Sequence, residues 1–344
     1  MKQMKTKVEI GTIGRPPDPS QLEVPEVPQA VVVNLSKICN LWCFHCYYPD
    51  YASKREKLVK KGHKPGPMFL TMEAFTAVAD EMGDWNKYTK SVMRVVADGE
   101  PLLNPKALDM LAHAKRAGVP VALTCNGIGL YETNAQKILE IGTEVIDVSI
   151  DAATPQTYTK VRRTRSGINL YPTVEKNVKR LIELKRQMGT KAATKVMVNM
   201  INQPLAAGEM PLFIKKWKGY GADIVLIRPF SSTSTLTMRE GVSTLVDGVK
   251  RFACRYPFTR LNVGFDEGGH TTVYYCSHDW EEKTVIGLLG TDGSMKDMWH
   301  GKNMKEIRRR HIENDFPKTS FCAACPDWYL GWGKFHQELV KKPN

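Results

Sequence analysis

The sequence predicts an α/β fold: a parallel sheet covered by helices, open or curled into a partial barrel, followed by a small cysteine-rich α+β unit. Three observations predict it. Six apolar, β-branched runs alternate with helical stretches between residues 30 and 230. The alternation fades after Phe230. Four of the eight cysteines then fall beyond residue 251.

Residues 1–29 carry five of the twenty prolines, all within "RPPDPSQLEVPEVP", and are expected to form an extended arm. The strand-like runs are Val31–Leu35, Val92–Ala97, Val119–Thr124, Val145–Ile150, Lys195–Ile201 and Ile224–Pro229. Between them, "TMEAFTAVADEM" repeats Met72, Phe75, Ala79 and Met82 on one helical face. Asn104-Pro105 and Thr154-Pro155 each read as an N-cap followed by proline at the first helical position. Apolar strands alternating with helices argue a parallel sheet buried on both faces, which places an active site at the C-terminal strand ends. Residues 231–250, including "SSTSTLTMREGVSTL", look like a connector. From 251 to 344 a second unit shows the turn signals "DEGG" and "TDGS" and a basic helical segment near 302–312.

With 344 residues the chain can bury a sizeable core. No run approaches the roughly 18 apolar residues of a membrane span, and the basic start "MKQMKTKVEIGTIG" lacks the apolar centre of a secretory signal. A cytoplasmic protein is expected, in which clustered cysteines more often ligate metal than pair. The net charge of +13 is spread over helical positions such as Lys54, Lys57, Lys60, Lys61 and Arg308 to Arg310, without interleaved aromatics. It fits solvated helix surfaces, or else an anionic substrate or nucleic acid.

Directly after the first barrel strand, "CNLWCFHC" sets Cys39, Cys43 and Cys46 at C-x3-C-x2-C. Three thiolates on one loop would leave one iron of a [4Fe–4S] cube open to a small molecule. In this spacing and position the sequence resembles the radical S-adenosylmethionine (SAM) enzymes. "VVADGEP" resembles that family's GGEP motif, with Asp98 replacing the first glycine. The resemblance implies a (β/α)6 barrel, a cluster with an open iron site, and SAM. It also implies that Gly99 and Glu100 lie against the methionyl ammonium, a charge-assisted pairing. "VSID" places Ser149 and Asp151 two apart, hence on one side, where they are expected to hold the ribose. Asn199 and Arg162 resemble further SAM contacts, the arginine pairing with a carboxylate. His45 takes the loop's usual aromatic position. An external reductant such as a flavodoxin or ferredoxin is implied as well.

Cys254-x21-Cys276-x45-Cys322-x2-Cys325 has the count for a closed cube or for structural zinc. Its layout resembles the twitch domain, the shortened relative of the SPASM extension, which carries one auxiliary [4Fe–4S] cluster. No cysteine follows Cys325 to complete a second.

Cys125, in "ALTCNG", is the cysteine left over. At a strand end its thiol is expected to face substrate, where it could return hydrogen to a radical, as in an epimerase; a small half-buried residue near a turn is the plainer reading. Without such a donor, an electron passed to the auxiliary cluster would make a dehydrogenase. The resemblance to aminocyclitol-dehydrogenase and aminoglycoside-epimerase types favours a sugar, aminocyclitol or nucleoside-like substrate. A short proline-rich arm in place of a peptide-recognition domain, and the ending "VKKPN" in place of a glycine-rich tail, point the same way. Radical modification of a peptide or RNA, and a non-catalytic iron–sulfur or zinc protein, are the remaining alternatives.

Overall fold

The computed structural model describes residues 6–10, 22–96, 98–230, 250–279, 282–323 and 325–329. Ten strands form one sheet. Strand β1 is Lys7–Ile10, and the six expected runs follow as β2 (Ala30–Asn34), β3 (Val92–Val96), β4 (Val121–Cys125), β5 (Val145–Ser149), β6 (Lys195–Asn202) and β7 (Ile224–Pro229). Strands β8 (Arg260–Phe265), β9 (Thr271–Tyr274) and β10 (Val285–Leu288) complete it. The order is β1-β7-β6-β5-β4-β3-β2-β8-β9-β10. All neighbours from β1 to β8 are parallel, and β8, β9 and β10 pair antiparallel.

Helices cover the outer face: α1 (Tyr48–Lys60), α2 (Met72–Asn86), α3 (Ala107–Arg116), α4 (Glu132–Ile141), α5 (Pro155–Val161), α6 (Tyr171–Met188) and α7 (Met210–Tyr220). The short α8 (Tyr256–Thr259) leads into β8, and α9 (Met295–His300) and α10 (Lys302–Glu313) follow β10. Strand parity sorts the side chains. Val31, Val33, Met93, Val95, Leu123, Ile146, Val148, Val198, Leu261 and Val263 pack with Phe75, Met82, Trp217 and other helix residues in the main core. The opposite face carries a small apolar patch of Ala122, Val145, Met197 and Leu226, and beyond it the polar residues described below.

Two features differ from expectation. The cysteine-rich unit does not begin a separate sheet: β8 lies directly against β2, Ala30 opposite Arg260 and Val33 opposite Val263. The proline-rich arm also contributes, since β1 pairs with β7 at the other edge. The connector 231–249 and the tail 330–344 lie outside the described residues. Among the described residues no helix is long and apolar enough to cross a membrane.

Thr154 caps α5 as expected, its hydroxyl accepting from the Thr157 N–H. Asn104 corrects the other cap. The helix begins only at Ala107, and Asn104 is buried. Its side-chain amide donates to the carbonyls of Leu35 (3.0 Å) and Leu70 (3.1 Å), and its Oδ1 accepts from the Lys106 N–H. An asparagine that serves three backbone groups of different segments is a tether rather than a cap. Asn104→Ala is therefore expected to cost about 1–3 kcal/mol through unpaired buried groups, measured as a lower thermal midpoint without loss of secondary structure by circular dichroism.

Candidate active site

The three-cysteine loop leaves the C-terminal end of β2 and is held from both sides by backbone. On one side Gly99 donates to Ser36 O (2.8 Å) and Glu100 to Ile38 O (2.7 Å). Gly99 has no room for a side chain: a β-carbon there would overlap the backbone of Ile38. On the other side Trp42 donates to Arg163 O (2.6 Å) and Phe44 to Val161 O (2.8 Å). The Arg163 and Arg165 guanidiniums lie over the Phe44 and Trp42 rings. Local turns complete the loop, with Leu41 N–H at 3.4 Å from Cys39 Sγ and Tyr48 N–H at 3.4 Å from Cys46 Sγ.

All eight cysteines are free thiols. Burial pushes Cys39 and Cys43 above the ordinary thiol value and Cys46 up to about 12. Such thiols ionise when a cation arrives, so metal loading releases protons. Cys254, Cys276, Cys322 and Cys325 line a single cavity with Tyr256, Tyr275, His311 and Trp328. Here too burial raises every thiol, Cys254 and Cys325 to about 12. The quartet that is scattered over the sequence is thus brought together.

Glu100 is buried, and burial pushes its carboxyl up to about 7 against the N–H groups of Asn126 (2.8 Å) and Leu102 (3.2 Å) that it accepts. Asp98 hydrogen-bonds the Asn34 side chain and is likewise pushed up to about 7 by burial, with Lys37 opposing. Ser149 accepts from Asn199 Nδ2 (3.0 Å), which also donates to Asp147 Oδ1 (2.5 Å).

Asp151 does not share that side. It sits past the strand end at φ 59°, in the left-handed region, where alternation no longer applies. Its carboxylate is taken by Arg162 (2.8 and 2.6 Å) and by the Ile201 N–H (2.7 Å). Burial would raise that carboxyl, but Arg162 and the His45 ring, 3.4 Å away, leave it below the ordinary value. Arg162 therefore does pair with a carboxylate, but one of the protein's own. The buried His45 ring also lies 3.4 Å from the Gln203 side chain, and burial lowers its pKa to about 4.

Cys125 corrects a further expectation. It pairs with Val148 across β4 and β5 and belongs to the helix-side core with Leu123. The inward position next to it belongs to Thr124, 3.5 Å from Asp147. Burial pushes its thiol well above the ordinary value, and it lies within electrostatic reach of Glu100, Asp147 and Arg162.

The description of the radical SAM superfamily matches residues 33–206. The chain belongs to the radical SAM superfamily. Residues 254–326 match an iron–sulfur cluster-binding domain, SPASM. Radical SAM proteins carry a [4Fe–4S] cluster and SAM, and the SPASM domain carries auxiliary iron–sulfur clusters. The free-thiol loop and the single cavity of the quartet fit these groups.

Among curated relatives, a probable GTP 3′,8-cyclase of Methanococcus maripaludis is 25% identical over 202 residues, 57% of this chain and 57% of that protein. The chain thus matches little more than half the length of that relative. A PqqA peptide cyclase of Streptomyces rochei is 28% identical over 131 residues, 37% of this chain and 31% of that protein. Among solved structures, anSMEcpe with bound AdoMet superposes with a TM-score of 0.60 at 14% identity, covering 92% of each chain. BtrN in complex with AdoMet and 2-DOIA gives 0.52 at 14%, covering 87% of this chain and 93% of that one. At this identity they show the shared radical SAM fold.

Sequence reasoning missed Asn34, Asp147 and Gln203, and with them Arg94, Arg228 and Arg260. The missed signal is a polar residue at every second position of an otherwise apolar strand, as in "VMRVV" and "RLNVGF".

Anaerobic reconstitution is expected to give about eight irons per chain, and about four in Cys43→Ala or Cys276→Ala, by iron and acid-labile sulfide analysis. Gly99→Ala, which alters no ligand, is expected to lose the same four irons as Cys43→Ala.

Proposed function

We propose that this radical SAM enzyme abstracts hydrogen from a small polar molecule held between its two cysteine sets, and releases it oxidised. The observation that supports this reading is a cavity walled by Asn34, Lys37 and Asp98 on one side and Tyr274, Asp279 and Glu282 on the other. Asp98 lies within electrostatic reach of Cys46, and Asp279 is three residues beyond Cys276. A molecule in this cavity lies between the two donor sets.

Cys39, Cys43 and Cys46 would hold the first cluster and the quartet an auxiliary one. When bound, the first cluster with SAM supplies a 5′-deoxyadenosyl radical that takes a hydrogen atom from a substrate carbon, and the auxiliary cluster supplies an acceptor for the electron left behind. The initiating electron comes from an external reductant of the flavodoxin or ferredoxin kind. Glu100 binds the methionyl ammonium by charge, and Gly99 places it by letting the chain close directly on the Ile38 backbone. Ser149 and Asn199, on the inward side of β5 and β6, meet the ribose. Asp151 and Arg162 act one layer back, buttressing the loop behind Cys43. Turning a secondary alcohol into a ketone removes one hydrogen atom, one electron and one proton. Asp98, a buried carboxylate in the cavity wall, is placed to take the proton.

The position of Cys125 in the helix-side core supports oxidation over epimerisation. Relatives bear the names of GTP and peptide cyclases, and the charged side chains Lys37, Asp98, Asp279 and Glu282 around the cavity favour a polar small molecule.

Reduced, reconstituted protein with SAM is expected to form 5′-deoxyadenosine, faster with one member of a panel of sugars, aminocyclitols and nucleotides. Cys43→Ala is expected to form none. In deuterated water the product is expected to be a ketone with no solvent label at the reacting carbon, in wild type and in Cys125→Ala alike. A solvent deuteron that vanishes in Cys125→Ala would overturn oxidation in favour of epimerisation. Glu100→Gln keeps an acceptor for Asn126 and Leu102 but loses its charge, so SAM binding by equilibrium dialysis is expected to weaken about tenfold.

A further inference from the structure

The barrel interior holds three arginines that the proposed reaction does not use. Arg94 on β3 is registered between Val32 and Ala122, Arg260 on β8 beside Ala30, and Arg228 on β7 beside Ile201. Their strand neighbours Met93, Val95, Ile227 and Leu261 pack in the helix-side core, so the arginines point inward. They also crowd one another. Burial, with the charges of Arg228 and Arg260, pulls Arg94 down to about 10.

Like charges gathered inside a barrel need a counter-charge. One carboxylate is at hand, Asp147, which accepts from Arg228 and is shared with Asn199. Three guanidiniums against one carboxylate leave an excess of positive charge. The Nε atoms of Arg94, Arg228 and Arg260 are each buried without a hydrogen-bond partner. Arg260 is buried and stacks 3.2 Å above the Tyr256 ring, within electrostatic reach of Cys254, so it can also balance an anionic auxiliary cluster. Arg94 lies within electrostatic reach of Arg228, Arg260, Asp147 and Tyr256.

We propose that Arg94, Arg228 and Arg260 form an anion subsite inside the barrel that takes the phosphoryl group of a phosphorylated small molecule. The inference deepens the reading above by naming the substrate class. The phosphoryl end lies among the arginines, and the reacting carbon lies in the cavity between the cysteine sets. A phosphoryl group offers three oxygens as acceptors to three guanidinium forks and carries more charge than a carboxylate, which supplies only two oxygens.

The test is equilibrium dialysis of the full-length reconstituted protein against inorganic phosphate, pyrophosphate and glutarate at constant ionic strength. Saturable binding of one pyrophosphate or phosphate per chain is expected, weakened about tenfold or more in Arg94→Gln and partly restored in Arg94→Lys. Arg309→Gln, on the exposed face of α10, is expected to bind as wild type does. Circular dichroism establishes that each variant is folded, and Arg228→Gln gives the same readout should Arg94→Gln fail to fold. Three results would overturn the subsite: no saturable phosphate or pyrophosphate binding by wild type, equal weakening in Arg309→Gln, or tighter binding of glutarate. 5′-Deoxyadenosine formation is measured on the same samples without added anion. Its absence alongside intact phosphate binding counts against the proposed reaction and leaves the subsite standing.

Discussion

The site depends on one close approach, the backbone of Gly99 against that of Ile38. No side chain intervenes, so the residues after β3 can hydrogen-bond directly to the first half of the cysteine loop. The second half is bonded in the same way to Val161 and Arg163, past the end of α5. A loop of three thiols has little intrinsic preference for one shape, and its geometry is borrowed from these two flanking backbones. The same contact brings Glu100 and Asp98 to the mouth of the barrel, one on each side of the glycine.

Electrostatics inside the barrel follows from strand parity. Outward positions are apolar and vanish under the helices, whereas inward positions concentrate charge: Asp147 and Arg228, Arg94 and Arg260, Asn34 and Asp98. Burial of ionisable groups costs free energy, which the Asp147–Arg228 pair offsets only in part. Asp151 is held most firmly, by the Arg162 salt bridge, the Ile201 N–H and a left-handed φ, within electrostatic reach of Cys43.

Much of this was legible in the sequence. The six barrel strands follow from β-branched runs, and the structure shifts their ends by only one or two residues. The cysteine loop was legible because its spacing and its position after a strand act together. Other parts were not legible, for definite reasons. Ser149 and Asp151 share a side only if the chain stays extended, and the backbone turns left-handed at Asp151. The strand end that carries Cys125 is legible, but the face its thiol takes is not, because one residue of register decides it. Asn104 next to proline had the pattern of a cap, and only the tertiary approach of Leu35 and Leu70 gave it different work. The pairing of β8 with β2 spans more than two hundred residues of chain, and no local pattern announces it.

Strand β1 has a consequence of its own. Without it, β7 would be the sheet's border, presenting "IVLIRP" with a row of unbonded backbone groups, an invitation to intermolecular pairing. With it, the border is a four-residue strand bearing Lys7 and Glu9, short and charged. A segment remote from the cysteine motifs in sequence thus shortens the open border of the sheet, and the same main-chain bonds keep solvent from the flank of the strand that carries Arg228.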